Sequence, residues 1–111
     1  MSGAARIFVS TAPAEVAPKL ARALVDERLA ACVNILPGAR SVYSWKGETC
    51  DDAESVLLIK TTAERGAALA ARLVELHPYE VPELVALELV DGEGNPEYLA
   101  WVADSVSPRP S

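Results

Sequence analysis

The sequence predicts a single α+β domain with the element order β-α-β-β-α-β-α, and three observations carry that prediction. Between Ala31 and Thr61, two long arms fold back on each other, and the first alternates with the two-residue period of a pleated strand. An apolar stripe at helical spacing stands on either side of this hairpin, each adjoining a further strand. Near the end, Asn95 followed by Pro96 reads as a helix cap with proline in the first turn, opening a third helix.

Taken in order, Arg6 to Thr11 is predicted as a short strand, with Ile7 and Val9 on one face and Phe8 on the other; Ala12-Pro13 ends it. A helix follows over about Ala14 to Arg28. Val16, Leu20, Ala23, Leu24 and Glu27 fall at helical spacing, and Glu15 suits the positive end of the dipole. Pro18 is tolerated only in a first turn, which sets the start near residues 14 to 15.

In the first hairpin arm, Ala31, Val33 and Ile35 alternate with Cys32, Asn34 and Leu36. Beyond Pro37-Gly38, Ser41, Tyr43 and Trp45 alternate with Val42, Ser44 and Lys46. Proline cannot donate to a central ladder and glycine frees the backbone, so the arm is predicted to bulge there and continue. Lys46-Gly47-Glu48 forms the tip, followed by the polar run Thr49 to Glu54. Val56 to Ile59 is unbroken apolar sequence, as in a strand covered on both faces.

Thr61 to Glu64 has the T-x-x-E pattern of a capping box. It is predicted to open a second helix carrying Leu69, Leu73 and Leu76 and stopping at His77 before Pro78. Leu84 to Val90 alternates as a fourth strand, Asp91 to Gly94 turns, and Leu99, Val102 and Val106 give the last helix its buried stripe. Ser107 to Ser111, with two prolines, is expected to fray, leaving about residues 5 to 106 of one domain spanning 1 to 111 ordered.

Two β-α-β units sharing one antiparallel sheet make the ferredoxin-like arrangement, with the last helix added to it. Two helices cover only one face of such a sheet. The strands nevertheless carry apolar residues on both sides, so another copy of the chain is the expected cover.

The net charge of -6, from 16 acidic and 10 basic residues without a basic cluster, argues against nucleic acid or an anionic membrane as partner. The N-terminus has no signal-peptide pattern and no run is long enough to span a membrane, so a cytoplasmic protein is expected. Cys32 and Cys50 are not a CxxC pair and are expected to be reduced. No GxSxG, HExxH, Walker or GxGxxG pattern occurs, and one histidine excludes a triad or a three-histidine zinc site within one subunit that needs more.

The remaining candidates each have two readings. His77 either caps the last helical carbonyls or contacts a ligand or metal, oriented by Glu80 or Glu83. Tyr43 and Trp45 share a strand face as packing, or line a cleft whose polar partners are Lys60 and Thr61. Tyr98 and Trp101 share a helix face by their spacing of three. Cys32 is a small hydrophobe or, as thiolate, a ligand for a soft ion such as Cu(I). Asp51, Asp52 and Glu54 read as solvated surface or a weak hard-cation site.

ERLAACVNILPGARSVYSWKGE, LLIKTT, LHPYEVPELVAL and GNPEYLAWV together resemble the CutA divalent-cation-tolerance family from about Ile7 to Ser105. The resemblance implies a ferredoxin-like subunit in a homotrimer, with strands of the long hairpin pairing between subunits. Its shape is similar to that of the PII signalling proteins. It further implies tolerance to divalent metals and copper binding. Cys32 falls on the AAC motif, His77, Tyr79, Glu80 and Glu83 fall on HPYxxPE, and Tyr43, Trp45, Lys60 and Thr61 match positions near the intersubunit cleft. Ser10 and Arg72 stand where some members have further cysteines.

The first expectation is therefore a non-enzymatic homotrimer needing no cofactor, binding copper or another divalent ion through Cys32 and His77. The alternative is a PII-like sensor taking a small metabolite in a cleft lined by Tyr43, Trp45, Lys60, Thr61, His77, Tyr79, Glu80 and Glu83. A third possibility is an enzyme using Glu80, Glu83 or His77 as general acid or base.

Overall fold

The computed structural model describes residues 4–108. The fraying expected of the C-terminal tail falls largely on 109–111, outside the described residues. The chain forms β1 (Ala5–Ala12), α1 (Ala17–Asp26), β2 (Cys32–Trp45), β3 (Glu48–Thr62), α2 (Gly66–Leu76), β4 (Leu84–Glu88) and α3 (Pro96–Val106). The sheet is antiparallel in the order β2-β3-β1-β4, the ferredoxin-like arrangement with a helix added. Among the described residues, no helix is long and apolar enough to cross a membrane.

Register decides which residues share a face. Phe8 lies opposite Ile59 and Ser10 opposite Leu57, and Val33 and Ile35 continue that row on β2. With Leu20, Leu24, Leu69 and Leu73 from α1 and α2 they form the main core. The opposite row holds Ile7, Val9 and Thr11 on β1, Val56, Leu58 and Lys60 on β3, Cys32, Asn34 and Leu36 on β2, and Val85 and Leu87 on β4. The third helix contributes a smaller core, Val102 and Val106 against Ala31. Arg28 ties down its far end by donating to the carbonyls of Asp104 at 3.1 Å and Ser107 at 2.7 Å.

Pro37 and Gly38 do produce the bulge: the β2–β3 register shifts between Leu36 and Ala39, with Gly38 at φ +80°. The polar run Thr49 to Glu54 is strand, so β3 has 15 residues. The turn is confined to Lys46 and Gly47, whose φ values of 51° and 81° match the twist of the flanking strands. Because β1 reaches only Ser55, the hairpin beyond it is a ribbon of two strands. Asn95 caps α3 as its sequence predicts, accepting from the Glu97 N–H at 3.0 Å.

Several boundaries differ, and α1 also ends at Asp26 short of the expected Arg28, which takes a left-handed φ of 59°. Val16 caps α1, and Pro18 sits in the first turn of a helix that begins at Ala17, because 14–16 close a tight turn back to the Pro13 carbonyl. No capping box forms at Thr61: β3 continues through Thr62, the Thr61 hydroxyl donates to the Leu29 carbonyl at 2.7 Å, and a short 3₁₀ turn (Ala63–Arg65) precedes α2. Finally, β4 stops at Glu88, where its pairing with β1 ends at Arg6.

Candidate functional site

The predicted site residues separate into three places. The first is the open face of the sheet. Cys32 and Lys60 lie opposite each other on β2 and β3, and the Lys60 ammonium donates to the Asn34 side-chain carbonyl. The Cys32 thiol lies 3.9 Å from the same Asn34 oxygen, a weak sulfur contact. Tyr98, from α3, completes the group. Burial and then the adjacent Cys32 thiol push its phenol up, which favours the protonated form. Trp101 lies against Tyr98 with ring centroids 5.5 Å apart.

The second place is the end of β1, where the loop HPYEVPE is pinned. The backbone N–H of Tyr79 donates to His77 Nδ1 at 3.1 Å, so Nδ1 is the acceptor; Nε2 carries the hydrogen and donates to the Thr11 carbonyl at 2.8 Å. His77 is buried and packs on the Tyr79 ring at 4.7 Å. The Tyr79 hydroxyl donates to buried Glu54 at 2.7 Å, and burial followed by that carboxylate pushes the phenol up to about 12. Ser10 donates to the Glu83 carbonyl at 2.6 Å, while the Glu80 and Glu83 side chains are exposed.

The third place is the ribbon. Tyr43 donates to Asp52, and this hydrogen bond, with desolvation behind it, raises its phenol above the ordinary range. Trp45 is 55% exposed.

These places are not contiguous in one subunit. Cys50, paired with Tyr43, lies ten residues along β3 from Lys60, roughly 33 Å at the rise of a strand. Thr61 points to the opposite side of β3 from Lys60 and is fully buried. Sequence reasoning left out Asn34, which shares the alternating row with Cys32, and read Glu54 as part of a solvated acidic run. Its burial follows from Tyr79 crossing over it, a contact between residues 25 apart in sequence.

The expected copper donors can be tested for fit. Both His77 ring nitrogens are committed to backbone groups, so a metal would have to displace one of those bonds. Thr11 pairs with Val56, four residues along β3 from the partner of Cys32, so thiol and imidazole stand well over about 10 Å apart. Among the described residues, no three of His, Cys, Asp and Glu gather to hold a metal ion. Ser10 is consumed by the Glu83 carbonyl and Arg72 by Glu27. Within one chain the structure does not bring Cys32 and His77 together.

Residues 6–105 match the family model described as CutA1 divalent ion tolerance protein. The chain belongs to the CutA family. It is 50% identical over 99 residues to the divalent-cation tolerance protein CutA of Thermus thermophilus, a match covering 89% of this chain and 94% of that one. The crystal structure of CutA1 from Oryza sativa superposes with a TM-score of 0.91 at 38% identity, covering 97% of this chain and 98% of that one. A PII-like protein CutA from Nostoc, solved in apo form, has a TM-score of 0.88 at 39% identity over 92% of this chain and 97% of its own. The CutA-family fold is thus shared with a protein described as PII-like, and the family is named for tolerance, not for a reaction.

Proposed function

We propose that this CutA-family chain is a cytosolic, non-enzymatic homotrimer that contributes to divalent-cation tolerance as a PII-like sensor, with a small ligand held between subunits. The observation that carries this reading is the separation of the candidate residues. Lys60, the HPYEVPE loop and the Tyr43–Trp45 ribbon each present groups to solvent, and only neighbouring subunits can bring them to one cleft. Self-association is supported by the apolar open face, where Val85 and Leu87 are each 51% exposed and Leu36 45%. The two-stranded ribbon adds to this, since such a hairpin is marginal without a covering partner. Two free cysteines suit a reducing compartment.

A second reading, direct binding of copper, is favoured by the free, half-buried thiol of Cys32, a soft donor that assembly would present in several copies. One set of measurements on the purified protein separates the two. Light scattering is expected to give a three-chain mass, and a small-molecule thermal-shift screen to give a saturable rise in Tm that Trp45→Ala removes. A single-chain mass, or no stabilising compound, would end the sensor reading. Copper titration under reducing conditions, giving a fixed metal-to-trimer ratio that Cys32→Ser abolishes, would instead establish the second.

A further inference from the structure

We infer that Lys60, Asn34 and Tyr98 form a subsite for the carboxylate of a small monoanionic ligand with an apolar body, an inference that rests on the cleft reading above. Lys60, like Lys19, Arg22, Arg28, Lys46 and Arg65, has no acidic partner, but among the described residues it is the one cation whose side chain donates to a neutral side-chain amide. Arg6 pairs with Glu88, Arg40 with Asp51 and Arg72 with Glu27, but no carboxylate pairs with Lys60 among the described residues. In a chain of net charge -6, the ammonium of this partly exposed lysine has a neutral amide as its one hydrogen-bond acceptor among the described residues.

The hydrogen-bonding inventory points the same way. One of the three ammonium hydrogens is used on Asn34, leaving two. The Asn34 amide nitrogen adds further donors beside it, and the Tyr98 hydroxyl stands next along the group, against the Cys32 thiol. Such a group is rich in donors and short of acceptors, the complement of a carboxylate. It also carries a single positive charge, which matches a monoanion better than a phosphate dianion. The same ammonium opposes a bare metal cation beside Cys32.

The surroundings account for the apolar body. Ile7 faces Lys60 across β1 and Leu58 lies two residues along the same face of β3. Trp101, 47% exposed and tilted against Tyr98, offers a ring surface at the edge. Aromatic or branched carboxylates fit this combination of one cation, several donors and apolar walls.

Benzoate is the probe, with benzamide as its neutral counterpart, titrated by calorimetry and thermal shift against the full chain and the variants Lys60→Met and Lys60→Arg. Benzoate is expected to bind and raise Tm where benzamide does not. Lys60→Met should weaken benzoate about tenfold or more, and Lys60→Arg should retain it within about threefold. Equal binding of benzamide, or unchanged benzoate affinity in Lys60→Met, overturns the subsite. So does a wild-type protein indifferent to benzoate whose Lys60→Met variant loses mass in light scattering, because the counter-charge is then a carboxylate of a neighbouring copy. Failure of the cleft reading itself looks different: no compound of any charge stabilises the protein. Neutral or cationic compounds that bind through Trp45 while Lys60→Met changes nothing remove the subsite and leave the cleft.

Discussion

The His77 imidazole bridges to the Thr11 carbonyl at 2.8 Å while its other nitrogen accepts a backbone N–H two residues downstream, so the single histidine works as a two-sided backbone clamp. It joins the end of α2 to the end of β1, elements 66 residues apart in sequence. The chemistry most expected of a histidine in a metal-tolerance family is therefore occupied by architecture.

Replacing His77 with Ala is expected to cost about 2–4 kcal/mol, because two part-buried backbone groups lose partners at once. Urea denaturation at neutral pH measures it. Copper stoichiometry should be unchanged in the variant; a stoichiometric loss of metal with intact stability would assign His77 to a metal site after all.

Thr61→Val removes the hydroxyl that satisfies the Leu29 carbonyl and should destabilise by about 1–3 kcal/mol, whereas Thr61→Ser should cost less than about 1 kcal/mol more than its lost methyl. Equal loss from both would show that the hydrogen bond contributes little. Ligand affinity, measured in parallel, should follow neither change, since Thr61 faces the core.

The Tyr79 phenol, pushed up to about 12 in the folded chain from an ordinary value near 10, ties stability to alkaline pH. A folded value above the unfolded one means the contribution is complete below about pH 10 and is lost as pH rises through about 12. Raising pH through that window should therefore lower the denaturation midpoint, with Tyr43 contributing in the same direction through Asp52. Tyr79→Phe should flatten the slope; an unchanged slope would dissociate the effect from the Glu54 hydrogen bond. Tyr79 is 39% exposed, so the amplitude is expected to be small.

Leu58→Lys places a charge in the middle of the open sheet face, between Val9 and Asn34. The main core lies on the other side of the sheet, so the subunit should stay folded by circular dichroism while light scattering shows a lower mass. A full three-chain mass for this variant would exclude the open face as the assembly surface.

Much of this molecule was legible in its sequence because local chemistry and global fold agree. Alternation in the two hairpin arms, Pro37-Gly38 at the bulge, Pro78 ending α2 and Asn95-Pro96 opening α3 each act through the backbone nearby, so short windows suffice to read them. The order of elements then left few topologies open. Tertiary structure decided what side chains do once distant segments meet. Thr61 had the spacing of a cap, but strand pairing carried β3 past it and the Leu29 carbonyl took its hydroxyl. Glu54 read as surface until Tyr79 covered it. Cys32, His77 and Lys60 are each candidate ligand contacts with a packing or capping alternative in sequence, yet register puts Lys60 beside Asn34 and α3 brings Tyr98 over Cys32, while His77 spends both nitrogens on backbone. A hydrogen bond between residues dozens of positions apart leaves no periodic trace in sequence, because it depends on pairing register and on which face each strand turns to its neighbours.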